Sequence, residues 1–177
     1  MQVVTMDRST AELADQAMLD LVSAAYPRIY RYARYLLEPD DAQDATQAAL
    51  EHLWRNRGKY RDEGQDVGDR WVIRVAMNKV RDEARRKRRQ PLQVSSDDLE
   101  IAVSDGAEAR AERAELQAAI HALPAADADL IALRFAADLP IDQIAELVGR
   151  SPGAVTVALH RAIQRLKSGM NAGGHDA

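Results

Sequence analysis

The chain contains no cysteine. That excludes a disulfide framework, a cysteine-based zinc site and a thiol redox centre. Aromatic residues are scarce, with one Phe, two Trp and five Tyr. With Ala, Leu and Arg abundant, this composition suits small helical bundles rather than a β-sandwich. No apolar run approaches the roughly 18 residues of a membrane helix, and no amino-terminal apolar run leads to a cleavage site. A cytoplasmic protein without membrane insertion is expected. Catalytic signatures are missing too. His52, His121, His160 and His175 are the only histidines, and none sits in an HExxH pattern. There is no glycine-rich phosphate loop and no Ser or Cys nucleophile motif. Glu51-His52 reads as helix surface. No enzyme activity, metal or cofactor is expected.

What is present is segregated charge. The 177 residues carry a formal net charge of −4. Residues 70–89, RWVIRVAMNKVRDEARRKRR, hold nine basic and two acidic side chains, a local +7. The flanking segments 1–69 and 91–115 are each −5, residues 127–150 are −3 and residues 151–167 are +3. Two concentrated basic patches inside an acidic protein point to discrete polyanion contacts and to a second partner that is not DNA. An apolar stripe through Trp71, Val75, Val80 and Ala84 lets one side of the first patch pack while the other meets phosphate.

The apolar spacing is helical nearly throughout. A first helix is expected from Thr10 as N-cap to about Ala25, and a second from Pro27 through Leu37. Pro39-Asp40-Asp41 restarts the chain into a third, with acids at its positive dipole end. Residues 57–69 read as a Gly-rich polar loop before a long helix over 70–89. Residues 90–106, QPLQVSSDDLEIAVSDG, read as a flexible acidic linker. Helices follow at about 107–122, 127–137, 140–148 and 151–168, and a disordered tail is expected at 169–177.

From Pro140, PIDQIAELVGRSPGAVTVALHRAIQRLK has helix-turn-helix spacing. Ala145 falls where two helices cross closely. Gly149 falls at the turn, where positive φ costs only glycine nothing. Val155 falls where the second helix packs back. Ser151 and Pro152 form an N-cap and a first-turn proline. Val155, Leu159, Ala162 and Leu166 make the buried stripe, leaving Gly153, Thr156, Val157, His160, Arg161 and Gln164 for solvent or a major groove.

Together the two halves resemble the extracytoplasmic-function (ECF) group of sigma-70 family sigma factors. YPRIYRYARYLL, DDAQDATQAALEHLW and RWVIRVAMNKVRDEARRKRR resemble region 2. Trp71, Arg74, Ala76, Asn78, Asp82 and Arg85 stand where the family's W-L-x-R-I-A-x-N-x-x-x-D-x-x-R run has its fixed residues. ALPAADADLIALRFAADLPIDQIAELVGRSPGAVTVALHRAIQRLK resembles region 4. The resemblance implies an all-α chain of two small helical domains: region 2 over 10–89, the acidic linker over 90–106, and region 4 with its helix-turn-helix over 107–168.

It also implies partners and sites. Asp40, Asp41, Asp44, Gln47, Leu50 and Trp54 would dock on the clamp coiled coil of the largest RNA polymerase subunit, although Leu50 also reads as a core residue. Arg74, Asn78, Arg81, Arg85, Arg86, Arg88 and Arg89 would hold the melted −10 strand, with Asn78 near a flipped base. Trp71 would be either a wedge at the duplex fork or part of the core. Ser151, Thr156, Val157, His160, Arg161 and Lys167 would meet the −35 duplex, and region 4 would contact the polymerase flap. The linker would run toward the RNA exit path. An anti-sigma factor is a further expected partner. The chain departs from the pattern where Ala154, Thr156, Val157 and Ala158 replace a Thr, a basic residue, Ser and Arg, which lowers the cationic content of the −35 face. Gln43-Asp44 replaces an acid pair in the docking helix, and Thr46 sits among these acids, near where some family members need phosphorylation to restore negative charge. A stand-alone helix-turn-helix regulator, binding duplex DNA as a symmetric dimer, would explain only 127–167.

Overall fold

The computed structural model describes residues 8–57, 65–88 and 107–173, and these contain helices and no strand. The first is α1, Arg8–Leu36. It is one helix where two were expected. Pro27 lies inside it on an exposed side, and the apolar stripe passes it unbroken: Met18, Leu21, Ala25, Ile29, Tyr32, Ala33 and Leu36 are all buried. Burying that stripe outweighs the ~3 kcal/mol an internal proline costs. Helix breakage comes instead before Pro39, where Glu38 takes the extended conformation that a following proline favours.

Helix α2, Pro39–Arg55, and α3, Gln65–Arg88, complete a three-helix unit with α1. Ala33, Ala42, Ala45, Ala49 and Ala76 let the helices approach closely around Ile29, Leu53, Val72, Met77 and Val80. Helix α3 begins at Gln65, inside the stretch expected to be loop, and Gly68 is buried in its first turns. The expected linker 90–106 and Arg89 lie outside the described residues.

The second unit comprises α4 (Ala107–Ala122), α5 (Ala125–Ile131), a π-helical turn (Ala132–Ala136), α6 (Ile141–Val148) and α7 (Pro152–Gly173). The π turn closes with Ala137 N–H donating to Ala132 O at 3.0 Å. Gly149 ends α6 in the left-handed region at φ 67°. The Ser151 hydroxyl accepts from Ala154 N–H at 3.3 Å and caps α7. Helix α7 continues to Gly173, past the expected end at 168, since no proline stops it and Met170 is half-buried.

The two units share one continuous apolar core. Helix α1 packs on α4, α5 and the π turn, and α3 packs on α6. The buried Tyr32 side chain sits at this seam.

Candidate nucleic-acid interface and docking face

Helix α7 is amphipathic with its apolar stripe turned inward. Val155, Leu159 and Ala162 are buried and Leu166 is half-buried. Ile144, Ala145 and Leu147 of α6 are buried as well. Thr156, Val157, His160, Arg161 and Lys167 are consequently exposed. Val157 is 51% exposed, unusual for an aliphatic residue and free to meet an apolar group such as a thymine methyl. Thr156 turns its hydroxyl back to donate to Pro152 O at 3.0 Å. Arg165 instead pairs with Asp127 of α5 and fixes α7 to its own unit.

Helix α3 exposes Arg74, Asn78, Lys79, Arg85, Arg86 and Arg88. Arg86 is held by Glu83, with Nε donating at 3.0 Å, a surface pair that phosphate can displace. Arg88 Nη1 donates to Leu123 O at 3.2 Å, across the seam. Lys87 Nζ lies 2.6 Å from Asp41 of α2. Trp71 is half-buried against the core, which favours packing over a freely projecting wedge. A narrow crevice lined by Arg70, Ile73, Arg74, Gln143, Glu146 and Leu147 marks the α3–α6 junction.

Arg81 departs from the sequence expectation. It is only 7% exposed, and its Nε lies 2.7 Å from Asp129 of α5. Its Nη1 donates to Asn78 Oδ1 at 3.0 Å and to Leu147 O at 3.3 Å. The Tyr32 hydroxyl donates to the other Asp129 oxygen. Burial, reinforced by the Asp129 charge, pushes the Tyr32 hydroxyl well above its ordinary range, so it is a neutral donor. Burial alone would lower the Arg81 guanidinium, but the facing Asp129 carboxylate outweighs it and holds it above its ordinary value. In this conformation Arg81 is an internal tie, not a phosphate contact.

Along α2, Asp40, Asp44 and Gln47 are exposed and Leu50 is half-buried. Asp41 is committed to Lys87. Gln47 Nε2 donates to Glu51 at 3.4 Å. Trp54 is 37% exposed, with the Arg57 guanidinium 4.5 Å over its ring. Leu50 and Trp54 line an open apolar groove with Leu19 and Val22 of α1, edged by Glu51 and Arg55. Thr46 is 1% exposed and its hydroxyl donates to Ala42 O at 2.7 Å. Its burial removes it as a ready phosphorylation site.

Sequence reasoning missed Leu19, Val22 and the Tyr32–Asp129–Arg81 contact. Leu19 stands beside the buried stripe of α1, and Asp129 stands within the apolar run of ADADLIALRFAA; both were visible as irregularities. Among the described residues no cluster of His, Asp and Glu could hold a metal, and no helix is long and apolar enough to cross a membrane.

Residues 21–90 match the family profile for sigma-70 region 2, and residues 113–166 match that for sigma-70 region 4. The chain is 32% identical over 167 residues to the ECF RNA polymerase sigma factor ShbA of Streptomyces griseus, covering 86% of this chain and 87% of that one. It is also 32% identical over 152 residues to the RNA polymerase sigma-E factor of Streptomyces coelicolor, covering 84% and 83%. Among solved structures it resembles CnrH in complex with the cytosolic domain of CnrY, with a TM-score of 0.66 at 21% identity, covering 93% of this chain and 97% of that one. The Bartonella quintana sigma factor RpoE, in complex with the anti-sigma factor NepR, gives a TM-score of 0.63 at 18% identity, covering 92% and 98%.

Proposed function

Given that this chain belongs to the ECF sigma factors of the sigma-70 family, we propose that it joins core RNA polymerase through α2, reads a −35 duplex with α7 and holds the melted −10 strand with α3. The observation that carries this reading is the pair of regions matched in order along one chain. A stand-alone helix-turn-helix regulator needs only the second.

The two DNA tasks need different surfaces. Duplex reading needs a helix whose outer face is regular and reaches base edges. The exposed Thr156, Val157, His160 and Arg161 of α7 meet that need, and Lys167 further along supplies phosphate affinity. Strand capture needs cations in a row with a polar group for an unstacked base. Arg74, Asn78, Arg85 and Arg86 on α3 supply these. Docking on a protein needs apolar anchors within a charged rim. Leu19, Leu50 and Trp54 are the anchors, and Asp40, Asp44 and Glu51 the acidic rim, suited to a basic coiled coil. Because Asp41 already pairs with Lys87, Asp40 and Asp44 carry more of that docking charge. An anti-sigma factor belongs to the same reading as a partner that competes with polymerase.

The test is transcription in vitro from genomic DNA by core polymerase with and without this protein, followed by mapping of start sites. New starts that share two upstream elements are expected. Failure to bind core, together with tight binding of a palindrome by the chain alone, would overturn the proposal in favour of a conventional regulator.

A further inference from the structure

A cation stands where the docking face has least use for one. The rim of the α1–α2 groove is acidic, which suits a basic partner. Yet Arg57 lies against the largest anchor of that groove, its guanidinium 4.5 Å over the Trp54 ring. A cation facing a basic partner costs affinity and slows encounter, so charge complementarity does not explain Arg57. Arg55, the other cation at this edge, is held on its own helix by Glu51 at 3.0 Å. Arg57 reaches further.

Three contacts fix it. Its Nε donates to Asp15 Oδ1 of α1 at 2.8 Å, between residues 42 positions apart in the chain. Its Nη1 donates to Trp54 O at 3.1 Å, in the last turn of α2, where carbonyls lack a helical partner. Its guanidinium carbon stands over the Trp54 ring, a cation–π contact. Asp15 lies one turn before Leu19 and two before Val22 on the same side of α1. One side chain therefore ties the Leu19–Val22 wall of the groove to the Leu50–Trp54 wall. The Arg57 and Asp15 side chains keep 40% and 43% of their surface in solvent, so as an ion pair they add little stability. What the contacts supply is restriction: fewer orientations of the Trp54 ring, and a set separation of the walls, before any partner arrives.

We propose that Arg57 is a positioning residue for polymerase docking, a strap across the end of the groove that holds the Trp54 ring ready while Asp15 answers its charge. This rests on the reading of the α1–α2 groove as the docking face.

The strap predicts a sign opposite to that of charge alone. Removing a cation from a face that meets a basic coiled coil should tighten binding, most at low salt. Removing a strap frees the ring and should weaken binding at low and high salt alike. Arg57→Ala is expected to weaken affinity for core roughly three- to tenfold, through loss of an exposed cation–π contact and of one ordered aromatic side chain. Arg57→Lys keeps the charge without the planar fork that serves Asp15, Trp54 O and the ring together, so it should not restore affinity. In the Trp54→Ala protein, Arg57→Ala should cause no further loss, because the ring it positions is gone.

Light-scattering titration of the full-length protein against core at two salt concentrations reads these affinities, with denaturant titration giving the folded fraction. Fluorotryptophan incorporation gives a second readout in the free protein. Of the two Trp signals, Arg57→Ala and Arg57→Lys should move that of Trp54 and leave that of Trp71 in place. Tighter or unchanged core binding by folded Arg57→Ala, an equal loss in the Trp54→Ala background, or full rescue by lysine would overturn the strap. A Trp54→Ala protein that binds core like the parent, with the fluorine shift of Arg57→Ala still present, would instead overturn the docking assignment on which this role rests.

Discussion

Trp54→Ala should weaken assembly with core polymerase by roughly 30-fold, and the adjacent Leu53→Ala should not. Trp54 is 37% exposed beside the groove formed with Leu19, Val22 and Leu50. Of a side chain of roughly 250 Å², about 90 Å² is therefore left for a partner to cover. At ~25 cal/mol per Å² that is about 2 kcal/mol, or roughly 30-fold in Kd. The remaining area, about 160 Å², is buried within the protein, so the same substitution costs the fold up to about 4 kcal/mol. Leu53 provides the matched control. It is fully buried under the same helix, and its truncation costs about 2–5 kcal/mol of stability without changing the docking surface. Denaturant titration gives the folded fraction of each variant, and light-scattering titration against core gives the affinity of that fraction. Equal affinities for folded Trp54→Ala and Leu53→Ala would refute the placement of the docking site on the α1–α2 groove.

Other outcomes follow from single features. Gly149→Ala should lower stability by about 1 kcal/mol in urea unfolding through the left-handed φ alone, since no atom lies within 4 Å of the added Cβ. Changing His160 or Arg161 should alter the preferred −35 sequence in a promoter-library selection, while Lys167→Ala should weaken all promoters alike. Asn78→Ala and the double change Arg85→Ala/Arg86→Ala should each reduce permanganate reactivity at the −10 region on duplex promoters. A pre-melted template should restore the arginine variant more than the asparagine one. His121 is held below its ordinary value, first by burial and then by the Arg88 and Arg34 charges, which Glu38 and a backbone contact with Tyr35 only partly offset. A depressed folded value means the unfolded chain binds the proton more readily, so stability should fall as pH drops below about 6.5. His121→Gln should flatten that part of the stability profile relative to the parent; identical profiles would exclude a role for this imidazole.

Much of this protein is decided by the order of its residues alone. Helical apolar spacing, the Gly149 turn and the Ser151-Pro152 cap depend on neighbours within a few positions, and the structure follows them around α6 and α7. The +7 charge of residues 70–89 is likewise a local fact of composition. Pro27 shows where local rules yield. As a helix breaker it should have divided α1, but the stripe on either side buries against the same core, and that energy exceeds the cost of one lost hydrogen bond. Thr46 and Arg81 show the same limit for the site. Their residue types suggest a modifiable hydroxyl and a phosphate-binding cation. The packing of α2 turns the first inward onto Ala42 O, and the closure of α3 on α5 turns the second toward Asp129. The pairing of Tyr32, Arg81 and Asp129 joins residues far apart in the chain, and no periodicity records it. Only the meeting of the two units decides which charges face solvent and which face each other, because a buried ion pair depends on distances of a few ångströms that the tertiary fold alone supplies.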